Sequence, residues 1–274
     1  MNAMSLKAKV RNIAKAKGVS AQVVLQYYFF ERFLDRLSQS EYREKIILKG
    51  GFLIASIAGM DVRSTMDIDA TIRFGPLEEE YIKNVISTIC GIYIDDNINF
   101  QLIRLTLIRE DTEYGGFRAS LDAIYESIIT PLSIDITAGD IITPKPVKRL
   151  FKSLFDERSQ FELLTYNSET ILAEKVETIL RRSVSNTRLR DFYDVYLIMK
   201  TQSYDTNIFN KAFYYTAVHR GTIEKIKNIP EILNAIKESH IIKQQWEKYQ
   251  KEYSYAKDVN FEDIIKMLYQ ILSP

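Results

Sequence analysis

The chain is organised around the stretch Lys49-Gly50-Gly51, followed by Arg63-Ser64-Thr65-Met66-Asp67-Ile68-Asp69. The two glycines come directly after the apolar, strand-like run Ile46-Ile47-Leu48, and residues 52–57 have the composition of a short helix. Backbone N–H groups at a glycine turn and at a helix N-terminus bind phosphate oxygens. The stretch therefore predicts a strand, a helix and, between them, a phosphate-binding turn formed by Lys49, Gly50 and Gly51.

Two aspartates, Asp67 and Asp69, stand one residue apart just beyond this turn. The residues beside them are apolar and suit a strand: Met66, Ile68, Ala70 and Ile72. Alternate residues of a strand point to one face, so the pair predicts a site for a divalent cation. An acidic strand end facing solvent explains a lone Asp-x-Asp equally simply, and for a lone pair we favour that explanation.

The composition is that of an ordinary soluble globular protein. The 274 residues are 46% hydrophobic and 27% charged, and no apolar run is long enough to span a bilayer. Residues 1–19 are basic but contain no apolar signal-peptide core, so we expect a cytoplasmic protein. The formal net charge of +1 gives no overall attraction to nucleic acid, so any such binding must come from local patches.

Cysteine and histidine are too scarce for most metal centres. Cys90 is the single cysteine, and His219 and His240 are the two histidines. An intrachain disulfide and a cysteine-based zinc cluster are therefore excluded, and a histidine-rich metal site is not expected. Any metal must be a hard cation held by oxygen ligands.

Hydrophobic periodicity predicts a sheet first and helices afterwards. Residues 20–38 and 77–90 have helical spacing, and 100–109, 116–125 and 132–137 are strand candidates, whereas 154–164 is ambiguous. Helices are predicted at 169–184, 188–201, 207–219, 231–250 and 261–272. The predicted fold is α/β (α+β), a mixed sheet flanked by helices, followed by a helical C-terminal half that begins between residues 144 and 168. We expect one domain over 1–145 and a second over 146–274.

A third carboxylate strengthens the metal hypothesis. Asp135 lies in the strand candidate Ser133-Ile134-Asp135-Ile136-Thr137, where it would be a third metal ligand or would accept the proton of an attacking hydroxyl. A charge on the solvated face of an edge strand is about as good an explanation for Asp135 alone. A glycine turn, an Asp-x-Asp pair and a later strand aspartate, in that order, resemble the DNA polymerase β-type nucleotidyltransferase superfamily.

Further motifs resemble the AbiEii/AbiGii family of toxin nucleotidyltransferases. The resemblance covers residues 20–200 and rests on Leu48-Lys49-Gly50-Gly51, Asp135-Ile136-Thr137-Ala138-Gly139-Asp140, Ile171-Leu172-Ala173-Glu174-Lys175-Val176-Glu177 and Arg188-Leu189-Arg190-Asp191-Phe192-Tyr193-Asp194. It implies a toxin of a type IV toxin–antitoxin or abortive-infection system, with a separately encoded antitoxin as partner.

The resemblance also assigns roles to residues. It implies that Asp67 and Asp69 bind the metals, that Lys175 steadies the triphosphate and that Asp191 is needed for activity, so that the helical half completes the site. Lys175 is otherwise explained by pairing with Glu174 or Glu177, and for Asp194 a structural role is at least as probable as a catalytic one. Arg190 and Arg188 either hold phosphates or pair with the two aspartates.

The implied reaction is Mg²⁺-dependent transfer of a nucleotidyl group from an NTP to an acceptor, with room for two metal ions. The resemblance implies an RNA acceptor, for which the 3′ end of tRNA is a candidate. Two alternatives stay open: an inactive nucleotidyltransferase-like module that binds a nucleotide or a protein, and a kinase-like phosphotransferase acting on protein.

One position departs from the superfamily pattern. Phe52 follows the two glycines, where a serine or threonine hydroxyl often contacts a phosphate. Ser56, Ser64 and Thr65 are the candidates to replace that hydroxyl.

Overall fold

The computed structural model describes residues 2–108, 115–156 and 159–273. The chain forms two compact units. The sheet unit consists of Met1–Asp140 and Pro146–Thr165, and the helical unit of Ile141–Lys145 and Tyr166–Pro274. The mixed sheet with flanking helices confirms the predicted α/β class.

In the part of the sheet unit that the structure describes, seven strands form one sheet. They are β1 Ile46–Lys49, β2 Ile68–Ile72, β3 Asn99–Ile108, β4 Gly116–Tyr125, β5 Ile128–Ala138, β6 Val147–Lys152 and β7 Gln160–Thr165. Their order in the sheet is β3-β4-β5-β2-β1-β7-β6. β2 pairs with β5, and β1 with β7, in parallel, whereas the other neighbours are antiparallel. β2, which carries Asp69, therefore lies at the centre.

Strand alternation divides the central strands into an apolar and a polar face. On β4, Phe117 and Ala119 are 7% and 0% exposed, and they pair in register with Ile136 and Ile134 of β5. The residues between them point to the opposite face. That polar face carries the charged side chains discussed below.

The described residues of the sheet unit form four helices: α1 Ala3–Lys17, α2 Ala21–Gln39, α3 Gly50–Ala58 and α4 Glu79–Cys90. α2 begins where the Ser20 hydroxyl accepts a hydrogen bond from the N–H of Val23 at 3.2 Å, as expected of a helix N-cap. Phe33 of α2 meets Phe100 of β3 edge to face, with ring centroids 5.7 Å apart. Helix α2 thus packs on the apolar face of the sheet.

The described part of the helical unit consists of helices and their connections. They are α5 Ser168–Arg182, α6 Leu189–Thr201, α7 Thr206–His219, α8 Ile223–Ile226, α9 Ile229–Glu238, α10 His240–Glu252 and α11 Phe261–Leu272. Trp246 of α10 is 2% exposed and packs against Phe261, with ring centroids 5.9 Å apart. Its indole N–H donates to the Val259 carbonyl at 3.1 Å, so the buried polar atom is satisfied.

Several elements differ from the sequence predictions. The strand predicted at 100–109 is β3, with Arg109 outside the described residues, and the strand at 132–137 is the longer β5. The helix predicted at 231–250 is two helices, because the chain breaks at Ser239, whose hydroxyl caps α10 by accepting from the N–H of Ile242 at 3.3 Å. Helix α1 and the hairpin of β6 and β7 were not predicted.

The division into units also differs from the expected one. The sequence predicts a boundary after residue 145, whereas the hairpin of β6 and β7 belongs to the sheet unit because β7 pairs with β1 at Thr165 and Leu48. The helices of the second unit begin at Ser168, at the end of the predicted interval. None of the described helices has the length and apolar character needed to cross a membrane.

Candidate active site

The glycine turn and the side chain of Asp69 are in close contact. Strand β1 ends at Lys49 and α3 begins at Gly50, which has a φ of +65°. A Cβ at Gly50 would lie 1.9 Å from Oδ2 of Asp69, and the Gly51 N–H donates to the same oxygen at 3.2 Å. Only glycine fits position 50, because both its φ and its contact with Asp69 exclude a side chain.

Asp67 is held by a hydroxyl that also lies against the turn. The Thr65 Oγ1 donates to Oδ1 of Asp67 at 2.7 Å, and a Cβ at Gly51 would lie 2.7 Å from that hydroxyl. Ser56, by contrast, donates to the Leu53 carbonyl within α3. Of these two candidates, Thr65 is therefore the one whose hydroxyl stands next to the glycines.

Phe52 has a packing role in this turn. It is 1% exposed, stacks on Tyr27 with ring centroids 4.8 Å apart and meets Phe30 edge to face at 5.8 Å. Phe52 thus fixes α3 against α2. This explains the departure from the superfamily pattern, since the position serves the core.

Four charged residues stand side by side across the polar face, and we call them the charged row. β-pairing aligns Lys49 with Asp69, Asp69 with Asp135, and Asp135 with Arg118. Neighbouring strands are about 4.8 Å apart, so Asp69 and Asp135 are adjacent.

Arg118 engages both oxygens of Asp135. Its Nε donates to Oδ1 at 2.7 Å and its Nη2 to Oδ2 at 2.5 Å. The side chain of Asp135 is 16% exposed and that of Arg118 is 49% exposed. The hydrogen bonds to Asp135, together with the negative charges of Asp135, Asp67 and Asp69, raise the pKa of the Arg118 guanidinium above its usual range.

Lys49, at the other end of the charged row, is anchored within the sheet unit. Its Nζ lies 2.9 Å from the Thr137 hydroxyl and 2.5 Å from Oδ2 of Asp140, and the same hydroxyl donates to Oδ2 of Asp140 at 2.9 Å. The ammonium is thus neutralised by Asp140. Its predicted contact with a phosphate stays a prediction.

The carboxylates do not enclose a metal by themselves. Within residues 2–108, 115–156 and 159–273, no group of three acidic, histidine or cysteine side chains is arranged to hold a metal ion. Mg²⁺ bound to a nucleotide needs only one or two protein carboxylates, because phosphates and water fill its other positions. Asp67 and Asp69, both partly exposed and next to a turn that a Cβ would fill, fit such an ion. In this structure, both carboxylate oxygens of Asp135 accept hydrogen bonds from Arg118.

In the helical unit, Lys175 lies between two aspartates, and we call the three residues the lysine cluster. Its Nζ is 2.6 Å from Oδ1 of Asp191 and 3.1 Å from Oδ2 of Asp194. The aspartate side chains are 7% and 0% exposed, and they stand one turn apart on α6, where residues i and i+3 share a face. Arg188 approaches the other Asp191 oxygen at 3.9 Å.

The alternative partners considered for Lys175 pair elsewhere. Glu177 and Glu174 form ion pairs with Arg220, with closest N–O distances of 2.6 Å and 3.4 Å. Arg190, a predicted phosphate ligand, donates to the Tyr253 hydroxyl at 3.1 Å, and its guanidinium lies 5.3 Å from that ring's centroid. Its predicted role is not tested by this contact.

Sequence reasoning did not single out Arg118, Asp140 or Arg220. A charged residue two positions after Gly116, within a strand candidate, was a usable signal for Arg118, but its pairing with Asp135 requires the β4–β5 register. Asp140 falls within a quoted motif, and only the folded chain shows that it holds Lys49. Arg220 has no sequence signal, since it meets Glu177 from 43 residues away.

Comparison with solved structures supports the fold. The structure of JHP933 from Helicobacter pylori has 12% identity, covers 92% of this chain and 90% of its own, and superposes with a TM-score of 0.54. A second H. pylori structure has 14% identity, coverages of 92% and 94%, and a TM-score of 0.49. An antigenic nucleotidyltransferase-like protein from Paracoccidioides brasiliensis has 12% identity, coverages of 74% and 92%, and a TM-score of 0.42. The similarity to JHP933 therefore supports the fold of this chain.

Comparison with protein families identifies the chain. Among curated proteins, none matches it significantly. The model of the family described as "Nucleotidyl transferase AbiEii toxin, Type IV TA system" matches residues 32–266, which include the glycine turn, the charged row and the lysine cluster. The chain therefore belongs to the AbiEii family of nucleotidyltransferase toxins of type IV toxin–antitoxin systems.

Proposed function

We propose that this protein transfers a nucleotidyl group from an NTP to the hydroxyl of an acceptor, with the polar face of the sheet unit as the reaction site. The observation that carries the proposal is the fit of Asp69 to the glycine turn, where the Gly51 N–H donates to its carboxylate and no Cβ is tolerated at Gly50. Family membership supports the same reaction class.

Asp67 and Asp69 would hold Mg²⁺. Bound Mg²⁺ supplies charge neutralisation of the triphosphate and orientation of its phosphorus. Thr65 keeps Asp67 in place through its 2.7 Å hydrogen bond. A third ligand or a base at Asp135, as the sequence predicts, requires an oxygen that Arg118 occupies in this structure.

The proposed step is an in-line displacement at the α-phosphorus. The acceptor oxygen forms a bond to that phosphorus, and the bond from phosphorus to the oxygen bridging the α- and β-phosphates breaks. Pyrophosphate leaves, and the proton of the acceptor hydroxyl passes to solvent water. Backbone N–H groups of the glycine turn, which start helix α3, are suited to bind phosphate oxygens. Lys175 and Asp191 are proposed to contribute to activity on the strength of the family motifs.

The acceptor, the partner and the location are proposed from the family. A type IV toxin has a cognate antitoxin, so we propose a separately encoded antitoxin protein that suppresses the growth arrest caused by this chain. We further propose RNA as the acceptor, with the 3′ end of tRNA as the site of addition, and the cytoplasm as the location.

The test is a transfer assay with purified protein, Mg²⁺, total RNA and each NTP labelled at either the α- or the γ-phosphate. The α-label should appear on RNA and the γ-label should not. Asp69→Asn should lower the rate by about 100- to 1000-fold, the range seen on removal of one electrostatic contributor to a transition state. Asp122→Asn is the matched control, because it makes the same change on β4 about 13 Å along the strand from Arg118 and should leave the rate unchanged.

Other labelling patterns would contradict the proposal and identify a different function. Transfer of the γ-label to protein would identify a kinase-like enzyme. NTP binding by calorimetry without transfer of either label would identify an inactive binding module. Transfer by Asp69→Asn at the wild-type rate would remove the carboxylates from the mechanism.

A further inference from the structure

Arg118 has more hydrogen-bond donors than its contact with Asp135 uses. An arginine has five N–H donors, and Asp135 receives two of them, so within the described part of the chain three are left for another ligand. The exposure of the pair is uneven, with Asp135 largely covered and about half of the Arg118 side chain open to solvent. Asp135 therefore fixes the plane of a guanidinium whose other edge faces outward.

Solvent screening limits the stability that this ion pair contributes, because about half of the Arg118 side chain is exposed. The pair also stands one strand from Asp69, so a second carboxylate attracts the guanidinium to this face of the sheet. A guanidinium at this position is better suited to a ligand that approaches the same face.

Phosphate is the ligand that matches this arrangement. A planar guanidinium binds phosphate oxygens through two parallel hydrogen bonds, which the ammonium of lysine does not reproduce. Arg118 and Asp69 are two strands apart in one register row, a separation of about 10 Å between backbones. A phosphate chain or backbone bound at Asp67 and Asp69 thus extends toward Arg118.

We propose that Arg118 binds a phosphate of a substrate and that Asp135 is its positioning residue. The inference rests on the proposed function. The phosphate belongs either to the NTP or to the RNA acceptor, and the two sources share the chemistry that a guanidinium recognises.

The experiment compares Arg118→Lys, Arg118→Ala and Asp135→Asn with the wild type. Equilibrium affinities are measured for each NTP with Mg²⁺ by calorimetry and for total tRNA by filter binding, alongside kcat and KM. Arg104→Ala is the matched control, since Arg104 is an exposed arginine on the neighbouring strand, paired with Ser120. Melting temperatures check that each variant folds.

We expect Arg118→Ala and Arg118→Lys both to weaken one substrate at least tenfold, with Arg104→Ala unchanged. If the phosphate belongs to the NTP, NTP affinity falls. If it belongs to RNA, RNA affinity falls and the salt dependence of log K loses about 0.7–0.9 of slope. Asp135→Asn should weaken the same substrate less than Arg118→Ala does.

Three results overturn the inference. They are unchanged affinities for both substrates in the two Arg118 variants, full rescue by Arg118→Lys, which means that only charge balance matters, and loss of kcat in Asp135→Asn with unchanged affinities. Failure of the proposed function is seen separately, because it is the absence of α-label transfer by the wild type.

Discussion

The charged row and the lysine cluster differ in how far each balances its own charge. On the polar face, Asp67, Asp69 and Asp135 stand near one exposed arginine, while Lys49 is neutralised by Asp140. In the lysine cluster, the ammonium lies within 3.1 Å of both aspartates, which are nearly or completely buried. An excess of partly exposed carboxylates over nearby cations suits the binding of a metal ion, whereas a closed ionic cluster suits a fixed framework. The two charged motifs of this chain therefore differ in how completely their charges are paired and in how far they are buried.

The largest effect should come from placing a side chain in the space between Gly50 and the Asp69 carboxylate. Gly50→Ala places a Cβ 1.9 Å from Oδ2 of Asp69 and strains a position with φ of +65°. We expect a loss of transfer activity comparable to that of Asp69→Asn, about 100-fold or more, with a loss of about 1–2 kcal/mol in unfolding free energy.

Gly18→Ala is the control for Gly50→Ala. Gly18 has φ of +64° but an added Cβ meets nothing within 4 Å, so the variant carries the strain without the collision. Equal activity losses in the two variants would show that backbone strain, and not displacement of Asp69, is responsible.

The lysine cluster should respond in stability. Lys175→Met leaves Asp194, with a fully buried side chain, and Asp191 without this ammonium, so we expect a loss of about 3–5 kcal/mol in unfolding free energy. Asp69→Asn should change stability by less than about 1 kcal/mol, because the loss of one charge from a partly exposed acidic site relieves repulsion with Asp67 and Asp135. Chemical denaturation of both variants makes the comparison.

A double variant tests whether the charges of Lys175 and Asp194 are energetically coupled. Lys175→Met with Asp194→Asn should be less destabilising than the sum of the single changes, because it removes a buried charge together with its partner. Additive losses would mean that the ion pair contributes nothing beyond packing.

Lys175→Arg separates a structural from a catalytic role of the lysine. The substitution keeps the charge, so stability should fall by only about 1–2 kcal/mol, the usual effect of overpacking. If Lys175 also contacts the triphosphate, kcat/KM should fall at least tenfold, because arginine does not reproduce a compact ammonium. A stable variant with full activity would confine Lys175 to the framework.

A smaller effect is expected from a carboxylate outside both clusters. Burial of Glu31 raises its pKa, although hydrogen bonds from Ser153 and the Leu154 N–H oppose the shift. The folded protein therefore binds this proton more tightly than the unfolded chain, and stability falls as pH rises from the ordinary glutamate range through the raised pKa. Glu31→Gln should lack this decline.

Urea denaturation at a series of pH values tests the expectation. The stability of Glu31→Gln relative to wild type should increase between acidic and neutral pH. A constant difference across that range would show that the pKa of Glu31 is the same in both states.

The sequence predicts secondary structure well where periodicity is strong. The strand–glycine–helix unit around Gly50, the strands β3 and β4, and helices α5, α6, α7 and α11 lie where apolar spacing indicates. Helix α1 was not predicted, because its apolar residues are few and stand among basic ones. Its buried face includes Leu6, Val10 and Ala14, which recur at a four-residue spacing.

The sequence predicts residues for the candidate site but does not predict their pairings. Motifs identify Asp67, Asp69, Asp135 and Lys175, since each is quoted with its immediate neighbours. The partners Arg118 and Asp140 depend on strand register and on side-chain reach, which residue patterns in one sequence do not determine. The same limit explains Phe52, whose role follows from packing against Tyr27 and Phe30.

The path of the chain between its two units determines how the protein can be cut. Because residues 141–145 belong to the helical unit and the β6–β7 hairpin belongs to the sheet unit, no single cleavage separates the units. A fragment ending at residue 145 loses β7 and leaves the edge of β1 unpaired beside Leu48, and such edges promote aggregation. A fragment ending after Thr165 retains the whole sheet and is the truncation to express.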